Sequence, residues 1–172
     1  MKTQQNIFLV GPPGAGKTTI GRALADELKM RFYDSDQEIE ARAGVEIGWI
    51  FDVEGEDGFR VREEKVIDEL TQRSGIVLST GGGAVMSEIV RRCLASRGTV
   101  VHLKVNIEDQ LVRMEKDKRR PMLQNTDKRS VLEEIAKTRD PFYAEIADMT
   151  VSSGARGLRA AVQEIIDKLQ EQ

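Results

Sequence analysis

A glycine-rich motif near the start of the chain constrains the fold more than any other feature. Residues 7–19 read Ile-Phe-Leu-Val-Gly-Pro-Pro-Gly-Ala-Gly-Lys-Thr-Thr. The four apolar residues predict a short buried strand, and apolar positions at helical spacing after the motif predict an amphipathic helix. Between them lies the pattern G-x-x-x-x-G-K-[ST], which is formed by Gly11, Gly16, Lys17 and Thr18. A strand, this loop and a helix in that order are typical of a phosphate-binding loop; a glycine-rich turn with a chance Lys-Thr pair is the alternative.

Each part of the motif suits the phosphates of a nucleoside triphosphate. Glycines let several backbone N–H groups point inward, and the N-terminus of the helix adds partial positive charge. The amine of Lys17 can reach the outer phosphates, and the hydroxyl of Thr18 can ligate Mg²⁺. We therefore expect a nucleotide site whose phosphate-binding residues are Gly14, Ala15, Gly16, Lys17, Thr18 and Thr19.

The composition limits the classes of protein to which the chain can belong. Its 172 residues are the length of one ordinary domain, and we expect a single domain over 1–172. The formal net charge of −3 and the aromatic content of 5% argue against nucleic acid or an acidic membrane as a partner. The sequence has one cysteine, no apolar stretch of about 18 residues and no signal-peptide pattern. These features favour a soluble cytoplasmic protein.

Apolar stretches alternate with helical patterns along the rest of the chain. Further strands are predicted at about 30–33, 76–79, 99–105 and 149–151, with helices between and after them. Such alternation is typical of βαβ units. We therefore expect an α/β protein in which a parallel sheet of about five strands is covered by helices on both faces.

Two aspartates follow the second predicted strand. In an extended chain Asp34 and Asp36 would face the same side, so both carboxylates could look into one cleft. One could hold a magnesium ion and the other could accept a proton from an attacking hydroxyl. The alternative is that the pair only caps the next helix. Because the strand at 76–79 runs into Thr-Gly-Gly-Gly without a carboxylate, the acid on the metal side must come from this pair, which fits a small-molecule kinase.

Arginines occur in three further segments of interest. Residues 116–121 read Lys-Asp-Lys-Arg-Arg-Pro, which could form a solvated loop, a nucleic-acid patch or a lid. Positive charge near the transferring group favours phosphoryl transfer, so a mobile lid over 117–126 is the preferred interpretation. Arg60 and Arg139 are each predicted at a helix start, where the helix dipole disfavours a cation. An external carboxylate is therefore a better partner for them than the helix, with a surface ion pair as the alternative.

In this order, the motifs resemble those of shikimate kinases over about 6–169. The matching segments are the phosphate loop and residues 32–36, 55–60, 80–83, 120–121 and 139–143. The resemblance implies a P-loop kinase fold and a kinase that transfers the γ-phosphoryl group of ATP to the 3-hydroxyl of shikimate, in aromatic amino-acid biosynthesis. It also implies one Mg²⁺ ion with ATP as the co-substrate, and it favours a monomer.

The resemblance further implies roles for individual residues. Asp36 would contact the substrate hydroxyl as the base, and Asp34 would support Mg²⁺ together with Thr18. The residues implied in catalysis are Asp36, Lys17 and Arg120, and those implied in holding shikimate are Asp36, Arg60, Gly82 and Arg139. Outside the phosphate loop, the residues implied in binding ATP are Arg113, Arg120 and Arg156, although the loop at 152–157 is less like the family pattern.

Two other functions stay open. A related P-loop kinase could act on gluconate or a nucleoside monophosphate; paired arginines also suit gluconate, whereas the contexts of residues 59–60 and 81–83 favour shikimate. A nucleotide-dependent switch would need a motif that reads guanine. The chain has D-x-x-G at 52–55 but no N-K-x-D motif, so this match is interpreted as chance.

Overall fold

Five parallel strands form the centre of the molecule. The computed structural model describes residues 5–115, 127–154 and 156–172. The strands are β1 (Ile7–Val10), β2 (Arg31–Asp34), β3 (Ile76–Ser79), β4 (Thr99–Lys104) and β5 (Met149–Ser152). They form one sheet in the order β2-β3-β1-β4-β5, and every neighbouring pair is parallel. The predicted strand number and direction are confirmed.

Helices cover both faces of this sheet. The α-helices in the described ranges are α1 (Lys17–Leu28), α2 (Ser35–Ala43), α3 (Ile47–Leu70), α4 (Glu88–Arg97), α5 (Ile107–Met114), α6 (Lys128–Ile146) and α7 (Gly157–Gln170). A short 3₁₀ turn spans Ala84–Met86. Alternate residues of β1 serve the two layers: Phe8 packs in the cluster that includes Ile67 of α3, and Leu9 packs in the cluster that includes Leu24 of α1. The unbroken apolar run of β1 reflects burial on both faces.

The carboxyl ends of β1, β2 and β3 meet at one edge of the sheet. Leu9 lies opposite Ser79, which in turn lies opposite Asp34. β1 is flanked by β3 and β4, so the order of strands reverses at this point, where open α/β sheets bind their ligands. The phosphate loop, the aspartate pair and the three glycines at 81–83 each follow one of these strands. These three segments therefore gather at this edge.

Two helix boundaries differ from the prediction. α2 begins at Ser35, directly after β2, so Asp36 belongs to the first turn of a helix and not to an extended chain. α6 is one helix that continues through Pro141, whereas a helix start was predicted at Arg139. A proline removes one backbone hydrogen bond, but this helix continues because Tyr143 and Ile146 beyond it are buried. Arg139 therefore lies inside α6 and not at a helix start.

Two glycines interrupt the helical region after β2. Gly44 caps the end of α2 with φ 74°, and Gly55 breaks α3 with φ 74° and ψ 178°. Gly48 and Gly58 are both inside α3. A second helical segment begins after this break, in agreement with the prediction of another helix here, but Arg60 lies five residues beyond the break and not at the first position of that segment.

No helix in the ranges 5–115, 127–154 and 156–172 is long and apolar enough to cross a membrane. The predicted lid at 117–126, which includes Arg120, lies outside the described residues.

Candidate active site

The phosphate loop joins β1 to α1 in the conformation that its glycines allow. Gly14 and Gly16 have φ angles of 81° and 85°, in the left-handed region that other residues rarely adopt. Lys17 begins α1 and is almost fully buried. Its Nζ atom donates hydrogen bonds to the carbonyl oxygens of Gly11, at 2.7 Å, and Pro12, at 2.9 Å. The amine is therefore held inside the loop, next to the N-terminus of α1.

Asp34 caps a helix and also contacts the phosphate loop's threonine. Its Oδ1 atom accepts a hydrogen bond from the backbone N–H of Gln37, at 3.1 Å, which caps α2. Its Oδ2 atom accepts a hydrogen bond from the hydroxyl of Thr18, at 2.6 Å. The capping and the metal-side interpretations of Asp34 are thus compatible, because each uses a different oxygen.

The pair Thr18 and Asp34 has donor atoms that suit a small hard cation. A hydroxyl and a carboxylate, both oxygen ligands, lie together beside the loop. In the described ranges no group of three or more His, Cys, Asp or Glu side chains could hold a metal ion. Magnesium in phosphoryl-transfer sites is commonly bound by one or two protein oxygens together with substrate phosphates, so the two residues fit that kind of site.

Asp36 faces a different neighbour from Asp34. A Cβ atom added at Gly81 would lie 2.9 Å from Oδ1 of Asp36 and 2.9 Å from Oε2 of Glu63. The backbone N–H of Gly81 donates to the hydroxyl of Ser35, at 3.1 Å, which fixes the glycine segment to the start of α2. The prediction that both carboxylates face the same side is therefore wrong. Because α2 begins between the two residues, Asp34 points toward Thr18 and Asp36 points toward the glycines.

The three glycines after β3 form a surface against which the charged side chains pack. A Cβ atom at Gly82 would lie 3.3 Å from Nη1 of Arg139, and one at Gly83 would lie 2.8 Å from Cζ of Arg60. The same Cβ at Gly82 would lie 2.9 Å from Cδ of Pro13 in the phosphate loop. Any side chain at these positions would displace a charged group or the phosphate loop. The triple glycine therefore brings Asp36, Arg60 and Arg139 beside the nucleotide loop.

Glu63 is a buried acid of this site that the sequence reasoning missed. Its Oε1 atom accepts a hydrogen bond from Nη1 of Arg60, at 2.7 Å, and only 1% of the residue is exposed. The pKa of Glu63 is raised to about 7, chiefly by burial and to a smaller extent by the charge of Asp36, although Arg60 and Arg139 oppose the shift. Its Oε2 atom has no hydrogen-bond partner in the described part of the chain. The sequence did contain a signal for Glu63: it lies three residues after Arg60, and residues at this spacing share one face of a helix.

Tyr143 was quoted in a sequence motif without a role, and the structure places it under the glycines. Its hydroxyl donates to the carbonyl oxygen of Gly82, at 2.6 Å. Burial lowers the pKa of the neighbouring Arg139, and the charge of Arg60 adds to this effect, whereas Tyr143 and Glu63 counteract it. Arg139 is thus a largely buried cation whose charge is only partly compensated by its neighbours.

Arg113 lies beside the phosphate loop on the side away from the aspartates. Its Nη1 atom donates to the carbonyl oxygen of Gly14, at 2.8 Å, and its Nη2 atom donates to the carbonyl oxygen of Ser153. Arg113 therefore links α5, the loop and the segment after β5. Arg156 pairs instead with Glu164 of α7, at 3.1 Å, and is mostly exposed. Arg120 is outside the described ranges. Of the predicted site residues that the structure describes, only Arg156 lies apart from the others.

Comparisons with known proteins agree with this geometry. The sequence model of the shikimate kinase family matches residues 13–170. A shikimate kinase of Alteromonas mediterranea is 55% identical over 169 residues, covering 98% of this chain and 99% of that protein. Shikimate kinase 1 of Pectobacterium atrosepticum is 56% identical over 171 residues, covering 99% of each.

Solved structures show the same relationship. The shikimate kinase from Acinetobacter baumannii, solved in complex with shikimate, has a TM-score of 0.96 and 46% identity; the match covers 99% of this chain and 95% of that one. A gluconokinase from Sinorhizobium meliloti has a TM-score of 0.65 and 18% identity, covering 99% of this chain and 94% of that one. At that identity the second match shows a shared fold alone.

Proposed function

The chain belongs to the shikimate kinase family, and on this basis we infer that it transfers the γ-phosphoryl group of ATP to the 3-hydroxyl of shikimate, in aromatic amino-acid biosynthesis. One observation of the structure supports this activity above the others. The triple-glycine segment lies against Asp36, Arg60 and Arg139, and at Gly82 it lies against Pro13 of the phosphate loop as well. A site for the acceptor and a site for the phosphoryl donor therefore adjoin, as direct transfer requires.

We propose that Asp36 is the base. It would accept the proton of the 3-hydroxyl while that oxygen forms a bond to the γ-phosphorus, and the bond to the β–γ bridging oxygen breaks to release ADP. Its position over Gly81 supports this role, because Asp36 lies on the acceptor side and Asp34 on the side of Thr18. Lys17, at the N-terminus of α1, would stabilise charge on the transferring phosphate in place of its present bonds to loop carbonyls.

Shikimate would be held by Arg60, Arg139 and the backbone of Gly82. Both guanidinium groups lie against the glycine segment, so one carboxylate placed there could meet two cations. Glu63 holds Arg60 through its buried oxygen and so limits the directions in which that guanidinium can point. Because Glu63 has a pKa of about 7, it offsets the positive charge only in part near neutral pH, which leaves the site attractive to an anion.

A kinase of this family uses ATP with a divalent metal ion. We propose Mg²⁺ as that ion, with Thr18 and Asp34 as its ligands from the protein, because both side chains present oxygen atoms beside the loop. When bound, the ion neutralises charge on the phosphates. Arg113 is proposed to lie near the adenine, since it already joins the loop to the segment after β5. The ATP contacts of Arg120 and Arg156 stay predictions.

We also propose a domain organisation, a cellular location and an oligomeric state. The protein is a single domain, it acts in the cytoplasm, and it acts as a monomer. A single domain is supported by the single five-stranded sheet, whose strand β1 contributes residues to the core clusters on both faces. The other two rest on the composition and on the family resemblance, and gel filtration with light scattering tests the oligomeric state.

Release of ADP tests the acceptor directly. Shikimate, gluconate and AMP are offered separately to the purified protein with Mg²⁺ and ATP, and the production of ADP is coupled to oxidation of NADH. We expect shikimate to support turnover far above the other two acceptors. Faster turnover with gluconate or AMP would refute the assigned substrate, and equal ADP release without any acceptor would indicate an ATPase.

A further inference from the structure

The hydroxyl of Tyr143 contacts the proposed acceptor site, and this contact is separate from the packing of the buried ring. The residue is fully buried, and its ring packs beside His102 with the ring centroids 5.0 Å apart. A phenylalanine would fill the same space. The hydroxyl, in contrast, must find a partner in the interior, because an unpaired buried hydroxyl is costly. The partner is the carbonyl oxygen of Gly82, at 2.6 Å.

Tyr143 and Arg139 lie one above the other on α6. They are four residues apart, and residues at this spacing share one face of a helix. Both reach the same glycine: Arg139 approaches the Cα side of Gly82, where an added Cβ would lie 3.3 Å from its Nη1 atom, and Tyr143 binds the carbonyl. Two side chains from one turn of α6 therefore lie against Gly82, and Tyr143 is the one that forms a hydrogen bond with it.

The backbone of α6 is weakened at the same place. Pro141 lies between Arg139 and Tyr143 and has no N–H group with which to continue the helical hydrogen bonds. The turn that carries Arg139 is thus less constrained by its own backbone than an ordinary helical turn. A side-chain anchor just beyond the proline would restore the constraint.

We propose that Tyr143 is a positioning residue of the acceptor site: its hydroxyl fixes the Gly82 carbonyl and thereby sets the glycine segment and the Arg139 guanidinium in register with each other. Tyr143 does not touch the acceptor itself. This inference rests on the proposed function, in which Gly82 and Arg139 hold the carboxylated acceptor. In this proposal the hydroxyl of Tyr143 is the group that connects α6 to the glycine segment after β3.

The variant Tyr143→Phe tests this role, because it removes only the hydroxyl and keeps the ring beside His102. Loss of one buried hydrogen bond should raise both KM and the calorimetric Kd for shikimate by about threefold to tenfold. The kcat and the KM for ATP should each stay within about twofold, since the base and the phosphate loop are unchanged. Unchanged affinity for shikimate would overturn the proposal.

A double-mutant cycle with Arg139→Lys separates positioning from general support of the fold. If Tyr143 acts through Arg139, the Kd for shikimate should rise less in the double variant than the product of the fold-increases in the two single variants. Fully multiplicative effects would show that Tyr143 does not act through Arg139 and would also overturn the proposal.

Two control variants account for effects of the substitution itself. Tyr33→Phe makes the same chemical change at the other tyrosine of the chain, whose ring lies under Arg73, and should leave the affinity for shikimate unchanged. Thr71→Val removes another buried hydroxyl, which donates to the carbonyl of Ile67 at 2.7 Å, and should lower the Tm without changing KM. If Tyr143→Phe behaves like Thr71→Val, its role is structural only. A wild-type protein that does not phosphorylate shikimate would refute the proposed function, and the wild-type assay shows this independently of any variant.

Discussion

Four charged side chains share the surface of the triple glycine, and their balance suits an anionic acceptor. Arg60 and Arg139 supply two positive charges, Asp36 supplies a negative charge, and Glu63 has a pKa of about 7 because it is buried. Near neutral pH the cluster is therefore slightly positive before any ligand binds. A carboxylate adds the missing negative charge, whereas a neutral polyol would leave a buried cation without compensation.

Replacing Asp36 by Asn tests the proposed base. Asn keeps the shape of the side chain but cannot accept the proton, so kcat should fall by about 10²–10⁴-fold. The Kd for ATP should change little, because the phosphate loop and Lys17 are unaltered. Asp52→Asn is the matched control, since Asp52 is an exposed acid on α3, and its kcat should equal that of the wild type. An unchanged kcat in Asp36→Asn would assign that residue a structural role.

Replacing Arg60 or Arg139 by Lys tests the acceptor pocket. Lysine keeps the charge but loses the planar fork that binds a carboxylate through two hydrogen bonds. We expect KM for shikimate to rise about tenfold or more in either variant, since hydrogen bonds to charged groups contribute about 1.5–3 kcal/mol. KM for ATP should stay nearly constant.

Arg62→Lys is the control for these variants. Arg62 lies on the same helix but pairs outward with Glu54, at 2.8 Å, so its replacement should leave both KM values unchanged. If Arg139→Lys weakens the binding of ATP and not of shikimate, the pocket has been assigned to the wrong residues.

Among the secondary-structure elements, α3 has the most unusual backbone. Gly55 has φ 74° and ψ 178° within the helix and so divides it into a part that carries Trp49 and a part that carries Arg60 and Glu63. This combination of angles is accessible almost only to glycine. The break turns the second part of the helix so that its arginine meets the glycine segment.

Two glycines of α3 should respond in opposite ways to replacement by alanine. At both Gly48 and Gly55 an added Cβ would meet nothing within 4 Å, so only the backbone decides the effect. Gly55→Ala should lower the free energy of unfolding by about 1–3 kcal/mol, because alanine is strained at this φ. Gly48→Ala has helical backbone angles and should raise it by up to about 1 kcal/mol. Urea denaturation measures both, and equal effects of the two variants would contradict the backbone argument.

The elements that the sequence predicts well are those set by local patterns. β1, the phosphate loop and α1 follow from an apolar run, a spaced motif and a helical stripe, and all three are confirmed. The continuation of α6 through Pro141 could not be predicted, because tertiary burial of Tyr143 outweighs the local effect of proline. Within the site, the residues of spaced motifs were found, whereas Glu63 was missed because its importance comes from burial beneath Gly81, a contact between distant parts of the chain.

At the scale of the whole molecule, two buried groups titrate in the same pH range with opposite effects on stability. His102 has its pKa lowered to about 4, chiefly by burial, with smaller contributions from Lys104 and Lys17. As the pH falls below 6.5, His102 takes up a proton in the unfolded chain but stays neutral in the folded chain, so the folded state loses stability. Glu63, with its pKa raised to about 7, keeps a proton that the unfolded chain has lost above pH 4.5, so its contribution increases as the pH falls. The two contributions partly cancel between pH 4.5 and 6.5.

Removing His102 should uncover the opposing contribution of Glu63. His102 is the only histidine of the chain, so in His102→Gln no histidine titrates. The variant has its own constant change in stability, but the dependence on pH carries the test. Between pH 7.5 and pH 5, its free energy of unfolding should improve relative to that of the wild type by about 2 kcal/mol, because each pKa unit corresponds to about 1.4 kcal/mol. Urea denaturation of both proteins at pH 7.5, 6 and 5 measures this difference, in which the surface carboxylates common to both proteins cancel. Parallel stability curves would mean that His102 takes up its proton in the folded chain at an ordinary pH and is not held neutral by its surroundings.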